Sequence, residues 1–89
     1  MISATPFGGG DNLIIAPNPA VSTTTIFADK QIKNYTIYNV LGREVLRAEN
    51  ANLSQKISLD VSKFIEGMYI VKVIFIDNTS TFSTLIKTN

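Results

Sequence analysis

From Leu13 onward, β-branched and aromatic residues come in short runs parted by turn formers, and no stretch holds apolar residues at helical spacing. That rhythm restricts the chain to β structure. Seven runs qualify as strands, at 13–16, 22–28, 35–39, 43–48, 56–61, 68–76 and 81–87. An 89-residue chain has room for one core and no second domain. Seven short strands with hairpin-length connections therefore predict an all-β, seven-stranded antiparallel immunoglobulin-like β-sandwich.

Side-chain alternation places individual runs. In 56–61, Ile57, Leu59 and Val61 share one face while Lys56, Ser58 and Asp60 share the other, the pattern of a strand with one buried face. In 68–76, Tyr69, Val71, Val73 and Phe75 share one face and Met68, Ile70, Ile74 and Ile76 the other, broken only by Lys72. This strand is expected to be central and covered on both sides. The last run, with Phe82, Thr84 and Ile86 alternating against Thr81, Ser83, Leu85 and Lys87, is mixed and suits a sheet edge. Thr23, Thr24 and Thr25 fit strand propensity and solvent-facing positions.

The connections carry their own signals. In Pro17-Asn18-Pro19, two fixed φ angles bracket an Asn that the following proline biases to extended backbone, so pairing stops and the first strand crosses between sheets. Gly42 supplies the positive φ of a short hairpin, and Asp77-Asn78 does the same between the last two strands. Between Asp60 and Tyr69, Asp60 and Ser62 bond nearby amides, Phe64 or Ile65 plugs the sandwich end, and Gly67 relieves the bend. Tyr69 then matches the tyrosine corner of immunoglobulin-like domains, its phenol bonding upstream backbone.

Residues 1–12 differ in kind: Thr5-Pro6 is followed by Gly8, Gly9, Gly10, Asp11 and Asn12, with Phe7 the one large side chain between them. They read as a flexible linker, as if the chain were the end of a longer polypeptide. No basic n-region and apolar h-region of a secretory signal is present at this end.

Chemistry is constrained by what is missing. With no Cys and no His, the chain offers no thiolate or imidazole metal site, no disulfide framework and no Ser-His or Cys-His pair. The seven acidic residues are dispersed, and Gly8-Gly9-Gly10 lacks the lysine and helix of a phosphate loop. A net charge of +1 with scattered Lys and Arg gives no footprint for nucleic acid or an anionic membrane. The longest apolar run, 68–76, is too short for a spanning helix. Sequons at Asn34, Asn52 and Asn78 matter only on a eukaryotic secretory route. The adhesion-type tripeptide Leu59-Asp60-Val61 falls inside an expected strand. These readings lead to no catalytic residues, no cofactor, no metal, no nucleic acid and no small-molecule substrate.

Three motifs taken in order add a resemblance. They are Pro17-Asn18-Pro19 near the start, Ile37-Tyr38-Asn39-Val40-Leu41-Gly42-Arg43-Glu44-Val45 in the middle, and Leu59-Asp60-Val61-Ser62 through Gly67-Met68-Tyr69-Ile70-Val71-Lys72-Val73 before a closing Leu85-Ile86-Lys87. The set, over residues 13–89, resembles the C-terminal sorting domain of type IX secretion cargo in Bacteroidetes, the Por secretion tail, type A. The chain runs two residues past Lys87.

The resemblance implies a signal without catalysis. Such domains follow a large cargo in cis, pass through the periplasm, and direct that cargo through the outer-membrane translocon to the cell surface or beyond. A surface sortase then usually removes them. On this chain, cleavage is expected in or before Gly8, Gly9, Gly10, Asp11 and Asn12, and recognition at Thr84, Leu85, Ile86 and Lys87, by strand addition to an edge with Lys87 as a charge. Pro17, Asn18, Pro19, Gly42, Gly67 and Tyr69 are expected to maintain the fold. The alternative is a fibronectin-like or carbohydrate-binding accessory module retained on a secreted enzyme or adhesin.

Overall fold

The computed structural model describes residues 13–89. Residues 1–12, where the sequence leads one to expect a linker and the candidate cleavage residues, lie outside them. Seven strands form: β1 (Leu13–Ala16), β2 (Thr23–Ala28), β3 (Ile32–Asn39), β4 (Glu44–Glu49), β5 (Lys56–Asp60), β6 (Gly67–Phe75) and β7 (Ser80–Lys87). They make two antiparallel sheets, a three-stranded one in the order β1-β2-β5 and a four-stranded one in the order β4-β3-β6-β7. The expected immunoglobulin-like sandwich is what the chain forms.

The core is the space between the sheets. Leu13, Ile15, Ile26, Ile57 and Leu59 face Ile32, Ile37, Val71, Val73, Phe75 and Leu85, all buried, and Val61 closes one end. Each strand contributes alternate residues because side chains one apart point to opposite faces. Burial of Leu59 and Val61 also withdraws two of the three side chains of the adhesion-type tripeptide from solvent.

β6 differs from its sequence reading in one respect. It is central in its sheet, yet only the Tyr69, Val71, Val73 and Phe75 face is buried, while Met68 is exposed and Ile70, Lys72 and Ile74 are half-buried. Apolar residues on both faces suggested two covers. A two-layer sandwich supplies one, and the flanking strands shield the outer face only sideways.

β3 begins at Ile32, three residues before its expected start. Polar Lys33 and Asn34 mask this turn of strand in sequence, but Ile32 is fully buried and the Asn50 side-chain amide donates to its carbonyl at 2.9 Å and to Ser54 O at 3.1 Å. A bulge in β4 follows from the register, in which Ile37 pairs with Leu46 but Tyr38 with Glu44. The extra residue, Val45, lines a groove shared with Phe64, Ile65 and Tyr69.

The one-cover arrangement gives a direct test. Phe75→Ala should lower stability by about 3–5 kcal/mol, whereas Met68→Ala should cost less than about 1 kcal/mol, read from denaturant midpoints. Equal costs would mean that the outer face is covered.

Candidate functional site

The region singled out by sequence is the final strand and the connections at its end of the sandwich. Gly67 pairs with Lys87, Tyr69 with Leu85 and Asn39 with Tyr69, so the starts of β6 and the ends of β3 and β7 lie together. The β3–β4 turn and the β5–β6 connection therefore open onto the same end.

Each connection is built from short-range polar bonds. The Asn39 carboxamide oxygen accepts from the amides of Leu41 and Arg43, both at 3.0 Å, while Gly42 N–H donates to Asn39 O. Gly42 sits at φ +81° with open space where a side-chain methyl would project, so any other residue there is opposed by backbone conformation alone. Asp60 Oδ1 accepts from the Ser62 amide and hydroxyl, at 3.0 and 2.6 Å, which holds its carboxyl below the usual range. Tyr69 Oη donates to Ile65 O at 2.6 Å, the tyrosine corner the sequence indicated, and the Tyr69 ring lies 5.0 Å from that of Phe64. Of the two candidates for the end plug, Phe64 packs against the core, whereas Ile65 is 82% exposed. Val45, Lys63, Phe64, Ile65 and Tyr69 line a shallow groove of about 340 Å³ beside it.

The segment 17–22 does more than stop β1. Both Ala16–Pro17 and Asn18–Pro19 are cis, and the chain leaves the three-stranded sheet to lie along β7, where Ala20 forms a parallel bridge with Lys87. Asn18 Nδ2 donates to Thr84 O and Asn18 Oδ1 accepts from Ile86 N–H, each at 2.8 Å. Next along the edge, Ala20 N–H donates to Ile86 O and Thr88 N–H donates to Ala20 O. At its other side the arm is tied to the first sheet: Thr24 Oγ1 donates to Pro17 O at 2.7 Å and Val61 N–H donates to Ser22 O. Thr24, read as solvent-facing, is buried for this reason; its hydroxyl has a carbonyl to satisfy inside.

The four residues expected at a recognition surface do not behave alike. Thr84 is exposed and Ile86 half-buried, both facing outward from the four-stranded sheet. Leu85 is fully buried in the core, and Lys87 is only 3% exposed, its Nζ donating to Thr88 O at 2.8 Å. Leu85 and Lys87 thus fasten the strand, because alternation turns them inward with the core-facing residues of β7. The amide role of Asn18 and the inward Thr24 escaped sequence reading, since one depends on partners remote in the chain and the other on which face a residue takes, whereas the turn role of Asn39 rests on amides only two and four residues on and was a local signal passed over.

At the opposite end, Asp77 Oδ1 accepts from the Thr79 amide and hydroxyl, and Lys30 Nζ reaches Asp77 Oδ2 at 3.1 Å. These bonds lower the Asp77 carboxyl to about 2, with the Thr79 hydroxyl the largest cause. Asn78 takes φ +68°, as its turn position requires. Among the described residues there is no cluster of three or more Asp, Glu, His or Cys side chains, and no helix is long and apolar enough to cross a membrane. What the arrangement offers chemically is hydrogen-bonding backbone along a sheet edge.

An immunoglobulin-like sandwich whose last strand lies at an edge, strapped by a proline-flanked arm, defines the class of protein. The family model of the secretion system C-terminal sorting domain, the Por secretion tail, matches residues 14–88, and the chain belongs to that family. It is a C-terminal sorting domain of type IX secretion, a signal for export to the cell surface or for secretion. Among solved structures it is similar to PorZ, an essential bacterial surface component of the type-IX secretion system of Porphyromonas gingivalis, with 16% identity and a TM-score of 0.71. That match covers 92% of this chain and 13% of the PorZ chain. CopC from Methylosinus trichosporium OB3b is similar over 88% of this chain and 91% of its own, with 16% identity and a TM-score of 0.55. At such identities both likenesses speak for the fold alone. No curated protein matches the sequence.

Two measurements test these contacts. Asn18→Ala should cost about 1 kcal/mol and speed hydrogen exchange of the Ile86 amide, while Asn18→Asp should cost more, because a carboxylate oxygen then faces Thr84 O. Unchanged exchange at Ile86 in both variants would refute the clamp. A depressed carboxyl contributes stability that is present above its ordinary value and is lost as pH falls through its folded value. The Tm advantage of the native chain over Asp77→Asn should therefore shrink as pH drops from 3.8 toward about 2.

Proposed function

We propose that this chain is a non-catalytic signal that carries an N-terminal cargo domain, attached in cis, through the periplasm and across the outer membrane by the type IX translocon. After export, a surface sortase cuts in or before Gly8–Asn12 and releases the domain from its cargo. The observation that carries the reading is the match of the sorting-domain family over residues 14–88. The chain's lack of Cys and His, which removes the commonest nucleophile pairs and metal ligands, agrees with a role in transit.

Recognition in this reading is built on β7. Thr84 and Ile86 present their side chains outward, while Leu85 and Lys87 hold the strand against the rest of the domain. Truncating residues 85–89 is consequently a poor probe of recognition, since it removes a core side chain along with the surface.

The test fuses the whole chain to a periplasm-targeted reporter in a bacterium that has a type IX system. The reporter should reach the cell surface or medium, and mass spectrometry should find it cut within or before residues 8–12. A reporter left in the periplasm would overturn the sorting role. A surface reporter still carrying residues 13–89 would overturn removal and point to a retained accessory module.

A further inference from the structure

We propose that β7 receives an extended segment of the secretion machinery by strand addition along Ser80–Thr84, and that the arm 18–20 is a built-in occupant of the adjoining edge that sets where the incoming strand stops. The inference rests on the sorting role above and specifies how the signal is held.

Strand parity defines the edge. Residues 81, 83, 85 and 87 direct their backbone groups to β6, so those of Ser80, Phe82, Thr84 and Ile86 point away from the sheet. The arm engages four of the outward groups and their continuation: Thr84 O, Ile86 N–H, Ile86 O and Thr88 N–H. Phe82 N–H, Phe82 O and Thr84 N–H have no protein partner among the described residues. Among the described residues, this edge is therefore closed over its second half and open over its first. The closed half also shows the chemistry this edge accepts, because the Asn18 carboxamide presents a donor and an acceptor to it much as a peptide unit does.

The other long edges are less receptive. β4 carries Glu44, Arg47 and Glu49 and is bent by its bulge, and β5 is bounded by Lys56 and Asp60, devices that discourage strand addition. β1 offers four residues before Pro17 ends it. By contrast, Ser80-Thr81-Phe82-Ser83-Thr84 is uncharged and rich in strand formers. Phe82, 58% exposed with Lys72 Nζ 6.0 Å from its ring centre, gives an incoming strand an apolar side chain to pack on. The occupant that fits is a short, extended, uncharged segment with an apolar residue placed beside Phe82. Strand addition draws its affinity from main-chain bonds and its selectivity from such alternate side chains.

The reporter fusion tests this with Phe82→Pro, which deletes one outward N–H at an edge position that tolerates proline, against Phe82→Thr, which keeps the backbone. Export should fall about tenfold or more with proline and stay within about twofold with threonine, while the purified proline variant keeps a cooperative unfolding transition. If the proline variant fails to fold, Phe82→Lys combined with Thr84→Lys decides, since it retains every backbone bond and places two cations on the approach. Native-level export of the folded proline variant, or of the double-lysine variant where proline does not fold, would overturn the inference and leave the sorting role standing. A native fusion that is not exported overturns both. Dimerisation of the native chain with slowed exchange at the Phe82 amide would assign the edge to a second copy and overturn the machinery as occupant.

Discussion

Burial of one face of β6 against the three-stranded sheet is the interaction on which the domain depends. Val71, Val73 and Phe75 are wholly withdrawn from water, and they meet Leu13, Ile26, Ile57 and Leu59 from across the sandwich. For a chain this small, such apolar burial has little to spare against the conformational entropy lost on folding. Phe64 and Tyr69 close one end, and the Lys30–Asp77–Thr79 bonds pin the β6–β7 hairpin at the other.

Given that core, the fate of the final strand is a matter of hydrogen-bond supply. A strand at a sheet edge has half its backbone groups facing outward, and each must find water, protein or a partner. The arm 17–22 satisfies those near the end of β7 and joins the two sheets, since Thr24 and Val61 hold its other side. Stability and the proposed recognition then meet on one strand: Leu85 and Lys87 face inward as fasteners, while the alternate residues remain outward.

Much of this was legible in sequence where the signal is local. Asp60-Ser62 and Asp77-Thr79 bond within two residues, Gly42 and Asn78 take positive φ in turns, and Tyr69 reaches back four residues. The Pro17-Asn18-Pro19 crossing was likewise readable from proline geometry. Misreadings arose where two faces or two remote segments decide the outcome. Apolar residues on both sides of β6 resembled a doubly covered strand, Thr24 resembled its exposed neighbours, and Lys87 resembled a surface charge.

The sequence by itself determined that this chain is a single all-β domain with its strands near these positions, because side-chain period and turn chemistry are properties of adjacent residues. Its ordered motifs also carried the family. Only the tertiary structure decided which face of each strand is covered and that Asn18, 66 residues away, closes the edge of β7 at Thr84. The reason is physical: burial and edge pairing depend on which surfaces meet, and no local pattern records a partner that distant.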